Sequence, residues 1–176
     1  MSGTKRLTLL SLLTAMALAL YVLESLLPPL TAIPGVKPGL SNVMTLVTMA
    51  LLGPTDAFAV LLARVALGSL VTGQISAIGY SLAGGVPAYL LLLALYRRFP
   101  PKQLWVLSVL CAVVHNLGQI ALAVLVTGTA AIVWYLPVLL ISGILAGAFT
   151  GVLAQLVLER LSKIRRSDGL KRGNRS

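Results

Sequence analysis

Six long runs of apolar residues, separated by short stretches rich in proline, glycine or charge, constrain this chain more than any other feature of its sequence. Because 58% of the residues are hydrophobic and only 10% are charged, a water-soluble fold could not bury them all. We therefore predict an all-α integral membrane protein, with a single bundle of six transmembrane helices over residues 1–160 and a basic cytoplasmic tail over residues 161–176. The runs cover about residues 7–27, 40–52, 56–71, 77–96, 104–126 and 131–158.

The first apolar run has two interpretations. Lys5 and Arg6 precede it, as basic residues precede the apolar core of a signal peptide. The run continues to about Leu27, however, which exceeds the core of about 7–15 residues typical of signal peptides and approaches the roughly 20 residues that span a bilayer. We expect a retained first helix, with cleavage as the alternative.

The basic residues predict the orientation in the membrane. If the amino terminus is cytoplasmic, the segments on the inner side carry twelve of the fourteen lysines and arginines. This bias favours a multi-pass protein of the bacterial inner membrane with both termini in the cytoplasm. The net charge of +10 then reflects topology and contact with anionic membrane lipids, and we expect no nucleic-acid partner. Lys37, on the outer side, and Arg64, within a span, are left unexplained.

The second apolar run is unusually short. A helix from Ser41 to Leu52 would rise only about 18 Å, against a hydrocarbon core of about 30 Å. The preceding stretch, IPGVKPGLSN (residues 33–42), must therefore enter the membrane, where irregular backbone is tolerated only if it is buried in protein or lines a cavity. We expect Lys37 to lie near the start of this helix, where backbone donors and the helix dipole favour an anion.

Arg64 is expected near the middle of the third helix. A cation at that depth costs at least about 2.5 kcal/mol on insertion scales, so it should face the protein interior and have a partner. We favour a role in ligand binding. The alternatives are a structural salt bridge, with Glu24 as the candidate partner, and a side chain that extends towards the membrane surface.

The fifth run contains the sequence HNLGQ, in which His115 and Gln119 share a helix face and Asn116 lies beside them. A single histidine in a helix is more often a hydrogen-bonded core residue than a ligand, but three polar side chains within five residues of a membrane helix all need partners away from lipid. The outer ends of neighbouring segments add further polar groups. The candidate substrate-binding residues are Lys37, Asn42, Arg64, Gln74, His115, Asn116 and Gln119.

The sequence offers no catalytic constellation. It contains no nucleophile-elbow, zinc-protease or phosphate-loop motif, and no pair of aspartate-rich segments that could hold Mg²⁺ against a diphosphate. One histidine, one cysteine and four carboxylates cannot supply a convincing metal site. We expect neither enzymatic activity nor a metal or cofactor.

The segments PGVKPGLSN, RVALGSLVTG and HNLGQ, in that order, resemble a bacterial membrane family known as heptaprenyl diphosphate synthase component I, or Gx transporter. That family is in turn similar to the S components of energy-coupling factor (ECF) transporters, which implies six helices and a long first loop closing over an outward-facing pocket. It also implies a small-residue motif on the first helix that docks a transmembrane coupling protein driven by ATPase subunits. Ala15 and Ala19 match that motif.

Three functional hypotheses follow. The leading one is a substrate-binding transporter component that captures a small anionic or polar-headed solute from the outer face and passes it to an ATP-driven coupling module. The alternative is a non-catalytic membrane subunit accompanying an enzyme of prenyl diphosphate or quinone synthesis. In the third, the polar residues only pack the helices of a structural membrane protein.

Overall fold

The computed structural model describes residues 3–26, 37 and 39–173 of the chain, with side chains up to residue 163. Within those ranges the regular structure is entirely helical. Short 3₁₀ turns, Pro101–Gln103 and Ala130–Tyr135, precede the last two helices. The α-helices are α1 (Gly3–Ser25), α2 (Asn42–Leu51), α3 (Pro54–Thr72), α4 (Ser76–Leu95), α5 (Leu104–Thr127) and α6 (Leu136–Gly173).

The predicted apolar runs all form helices, and five of the helices in the described ranges are long and apolar enough to cross a membrane. The prediction of an all-helical membrane bundle is therefore confirmed. The remaining helix, α2, has ten residues and a length of about 15 Å, so it is too short to span the bilayer alone. Beyond the apolar part of α6, the helix continues through much of the predicted basic tail and ends at Gly173.

The short helix α2 occupies the centre of the bundle. It contacts each of the other five α-helices. Seven consecutive residues, 43–49, are buried, so every side of the helix faces protein. A helix with apolar residues on all sides is stable in this position because its neighbours cover its central residues. The other helices therefore form a shell around α2.

One end of the bundle is fixed by an ion pair between α1 and α3. Arg6 donates from Nε and Nη2 to the two carboxylate oxygens of Asp56, each at 2.8 Å. Asp56 lies in the first turn of α3, where the helix dipole also favours a negative charge. The pair places the starts of α1 and α3 at the same end, as the predicted alternation of the chain across the membrane requires.

Glycines allow α5 and α6 to pack closely. Gly143, Gly147 and Gly151 recur every four residues on the side of α6 that faces α5. A Cβ atom at Gly151 would lie 2.6 Å from the Cα of Trp105, and one at Gly147 would lie 3.0 Å from the Cα of Val109. Small residues at this spacing let two membrane helices approach through their backbones.

A proline shapes the contact between α4 and α5. Pro87 lies inside α4 and has no N–H group, so the carbonyl of Ala83, four residues earlier, loses its usual helical donor. That carbonyl lies against Gly118 of α5, at the position that a Cβ atom would occupy. Gly118 therefore permits α5 to approach the backbone of α4 at the level of the candidate site.

We predict that Gly118→Ala destabilises the protein by about 1–3 kcal/mol, because the added methyl group meets a backbone carbonyl that cannot rotate away. Gly79→Ala is the matched control on α4, since its Cβ would make only an ordinary 3.5 Å contact with Leu122. Thermal unfolding of the purified variants in detergent measures both effects. Equal melting temperatures for the two variants would contradict the predicted packing of α4 on α5.

Candidate anion-binding site

Five polar residues from four helices and the turn before α2 form one connected group, which we call the polar network. Glu24, Ser41, Arg64 and His115 are buried, with at most 4% of each residue exposed. Asn42, the first residue of α2, is partly buried. The network surrounds the amino end of α2, which lies inside the bundle.

The carboxylate of Glu24 occupies the amino end of α2. Its Oε1 atom accepts hydrogen bonds from the backbone N–H groups of Gly39 and Leu40, the latter at 3.0 Å, and Ser41 Oγ lies 3.5 Å from Oε2. Gly39 has a φ of +84°, in the left-handed region that favours glycine. A left-handed residue followed by helical ones turns successive N–H groups towards one point, which creates an anion-binding nest.

Arg64 also binds this end of α2. Its Nη1 donates to Ser41 Oγ, and its Nη2 donates to Asn42 Oδ1 at 2.9 Å. Within the described part of the chain, no ion pair within 4.0 Å joins Arg64 to Glu24. The salt bridge considered from the sequence is therefore replaced by an indirect link, in which the hydroxyl of Ser41 connects the two charged groups.

The hydrogen bonds determine the proton position on His115. Arg64 has only donors, so the oxygen of the Asn42 amide must face it and the amide nitrogen must face His115. Asn42 Nδ2 lies 3.0 Å from His115 Nδ1, which must then accept. His115 is consequently a neutral imidazole with its proton on Nε2.

Two glycines hold the imidazole of His115 in place. A Cβ atom at Gly39 would lie 3.0 Å from His115 Cδ2, and one at Gly84 of α4 would lie 2.7 Å from His115 Nδ1. The ring therefore fits between the turn before α2 and the backbone of α4. Any larger residue at either position would displace the acceptor used by Asn42.

Lys37 lies just before this network and is buried, with 9% of the residue exposed. Its Nζ atom is 4.0 Å from the centre of the Tyr21 ring, a cation–π contact. Tyr21 is itself fixed by close contact with Gly68 of α3. Among the described residues, neither Lys37 Nζ nor Arg64 Nε has a hydrogen-bond partner. The site thus combines two buried cations that have unused donors with one carboxylate.

The other three predicted site residues lie outside the network. Asn116 donates from Nδ2 to the carbonyl of Leu139 at 2.6 Å and so joins α5 to α6. Gln119 is buried, and its Oε1 has no partner within the described ranges. Gln74 is partly buried in the connection after α3, and the described residues show no hydrogen bond from its side chain to the network. Ligand binding by all seven candidates stays a prediction.

A small cavity adjoins the network between α2, α4, α5 and α6. Gly39 and Asn42 line one end, and the buried hydroxyl of Thr45, which has no partner in the described part of the chain, lies along the wall. The volume of the cavity that water can enter is about 30 Å³. Because one water needs roughly 10–15 Å³ of such space, the cavity holds about two waters. The cavity is therefore too small for a larger solute.

Sequence reasoning missed the roles of Tyr21, Gly39 and Ser41, and identified Glu24 only as a candidate partner for Arg64. The signal for Glu24 was present, because it is the only carboxylate well inside an apolar run. The described residues contain no group of three histidines, cysteines or acidic residues that could hold a metal ion. The arrangement is suited to binding an anion.

These features are those of a helical, multi-pass type of membrane protein with a buried candidate site that contains two cations. The chain belongs to the family described as heptaprenyl diphosphate synthase component I, which it matches over residues 13–157. This range includes every residue of the polar network and confirms the family resemblance seen in the sequence. No curated protein and no solved structure matches the chain. The similarity to ECF transporter S components stays a prediction.

We predict that Gly39→Ala destabilises the protein more than Gly73→Ala does. Both positions have positive φ, at +84° and +68°, so each alanine carries a backbone cost of about 1–2 kcal/mol. Only at Gly39 would the new methyl group also meet Asn42 Nδ2 and His115. We expect a further loss of about 1–3 kcal/mol there, measured by thermal unfolding in detergent. Equal losses would show that the turn does not pack on the polar network as described.

Proposed function

We propose that this chain is a non-catalytic membrane subunit that accompanies an enzyme of prenyl diphosphate synthesis. The observation that carries the proposal is the membership of a family whose description names a component of heptaprenyl diphosphate synthase. The composition agrees with a non-catalytic role. The sequence has two aspartates, Asp56 and Asp168, which are distant from each other in sequence, so neither belongs to an aspartate-rich segment of the kind that holds Mg²⁺.

In this role the candidate site would hold the anionic head of a membrane-bound substrate or product. Lys37 and Arg64 supply two buried positive charges, and Arg64 is already held against the first turn of α2. Backbone N–H groups at a helix start add donors that suit phosphate. The long apolar helices would meanwhile keep the subunit where a prenyl chain dissolves.

We place the protein in the bacterial inner membrane with both termini in the cytoplasm. This orientation rests on the distribution of basic residues, because Arg97 and Arg98 follow α4 at the same predicted side as Lys5 and Arg6. A soluble enzyme subunit would then meet the end of the bundle that carries the ion pair between α1 and α3. Contact between basic residues and anionic lipid headgroups would help to hold this end of the bundle at the cytoplasmic surface.

A second candidate function is a solute-binding component of a transporter with an ATP-driven coupling module. The observation that favours it is the exposed position of Ala15 and Ala19 on α1. These residues lie one turn apart on a face that no other helix covers in the part of the chain that the structure describes, as a docking surface for a membrane partner requires. On this hypothesis the polar network is the floor of a solute site that opens to the outer side.

Affinity purification from native membranes tests the two functions. If the subunit proposal is correct, the tagged chain should retain a soluble prenyl diphosphate synthase subunit, identified by mass spectrometry and by synthase activity in the eluate. Recovery of a transmembrane coupling protein with ATPases instead would contradict it and support transport.

Substitution on α1 sharpens that test. Ala15→Leu combined with Ala19→Leu should leave capture of the synthase unchanged on the subunit proposal. On the transporter hypothesis, the captured partner is the coupling protein, and the two substitutions should abolish its capture because it docks through α1. Ala121→Leu, at an exposed position on α5, is the matched control for a bulkier lipid-facing surface.

A further inference from the structure

The start of α2 forms an anion site that the chain fills with its own carboxylate. Glu24 receives two backbone N–H groups and lies within reach of the Ser41 hydroxyl. Those donors belong to one turn, and they would bind any anionic oxygen of suitable size. The occupant comes from α1, a helix separated from this turn in sequence by more than ten residues.

A second observation indicates that the site is built for more negative charge than Glu24 supplies. Only 2% of Arg64 is exposed, and its Nε has no partner among the described residues. Lys37 Nζ is likewise buried and has no hydrogen-bond partner there. Two cations therefore share the site with one carboxylate, and a buried donor without a partner carries an unrecovered desolvation cost.

We propose that Glu24 is an internal occupant that a phosphate or diphosphate group displaces when the ligand binds. The inference deepens the proposed function and rests on it for the presence of such a ligand. A carboxylate has two oxygens, and both are directed at the turn before α2. A phosphate group has more oxygens and more charge, so it can replace both and also accept from Arg64 and Lys37.

The position of Glu24 makes the exchange feasible. It lies in the last turn of α1, one residue before the helix ends at Ser25. Rotation about its side-chain bonds can therefore carry the carboxylate away from the nest and towards the end of the helix. Ser41 stays behind, still bound to Arg64, and keeps the amino end of α2 in register for the ligand.

The test compares Glu24→Gln with the wild type, using the full chain in lipid nanodiscs and inorganic pyrophosphate as the probe. The variant removes the competing charge and keeps the size of the side chain. We expect it to bind pyrophosphate at least about tenfold more tightly, by calorimetry, since one charge-assisted hydrogen bond is worth about 1.5–3 kcal/mol. Glu159→Gln, near the opposite end of the molecule, is the matched control and should bind as the wild type does.

A second arm distinguishes a soluble ligand from a membrane-bound one. If the head group comes from a lipid-soluble molecule, a prenyl diphosphate in the nanodiscs should raise the melting temperature of Glu24→Gln more than that of the wild type. A gain with pyrophosphate alone would assign the site to a free anion. Either result supports displacement.

Equal affinity of the wild type and Glu24→Gln, or no binding by either in both arms, overturns the inference. If Glu24→Gln does not fold, Glu24→Asp replaces it, because the shorter side chain keeps the charge but reaches the nest less well. Glu24→Asp should then bind the probe more tightly than the wild type, and unchanged affinity overturns the inference. Capture of a synthase subunit is scored on the same preparation, so failure of displacement and failure of the proposed function are separated.

Discussion

The rest of the structure depends on the start of a helix that lies inside the membrane bundle. The first N–H groups of α2, those of Asn42, Val43 and Met44, donate to carbonyls of the turn before it. The N–H groups of Gly39 and Leu40 in that turn need another acceptor, because an unsatisfied backbone group away from water costs several kcal/mol in a membrane. Glu24 satisfies two donors of this turn, but its charge needs compensation in turn. Arg64 provides it through Ser41, and Asn42 then relays the contact to His115. Four helices are thereby tied to one turn.

This polar network needs close helix packing, which the glycines provide. Gly39 and Gly84 leave room for the imidazole of His115, and Gly68 leaves room for the ring of Tyr21 that contacts Lys37. A methyl group at any of these three positions would lie within about 3 Å of the neighbouring ring. The hydrogen bonds of the polar network consequently depend on the close packing of the helices, because a looser bundle would separate the donors from their acceptors.

Much of the fold was predictable from the sequence, because apolar runs, breakers and basic residues each act locally. The short α2 and the grouping of Asn42, Arg64 and His115 followed from the length of one run and from the cost of polar groups in lipid. The partner of Arg64 was not predictable in detail. It depends on how Ser41 lies between α1 and α3, which is set by packing between distant segments. Gln74 was included because of its outer position, and sequence alone cannot place a connecting segment relative to a buried site.

The most direct test of the account is a double-mutant cycle between Asn42 and His115, measured by reversible unfolding in mixed micelles. Asn42→Ala, His115→Ala and the double variant isolate the hydrogen bond between α2 and α5 from the cavities that each alanine leaves. A coupled network predicts an interaction energy of about 0.6–1.7 kcal/mol, the range of average to strong polar contacts between membrane helices. Additive losses, with no interaction energy, would contradict the claim that the start of α2 is held by this network.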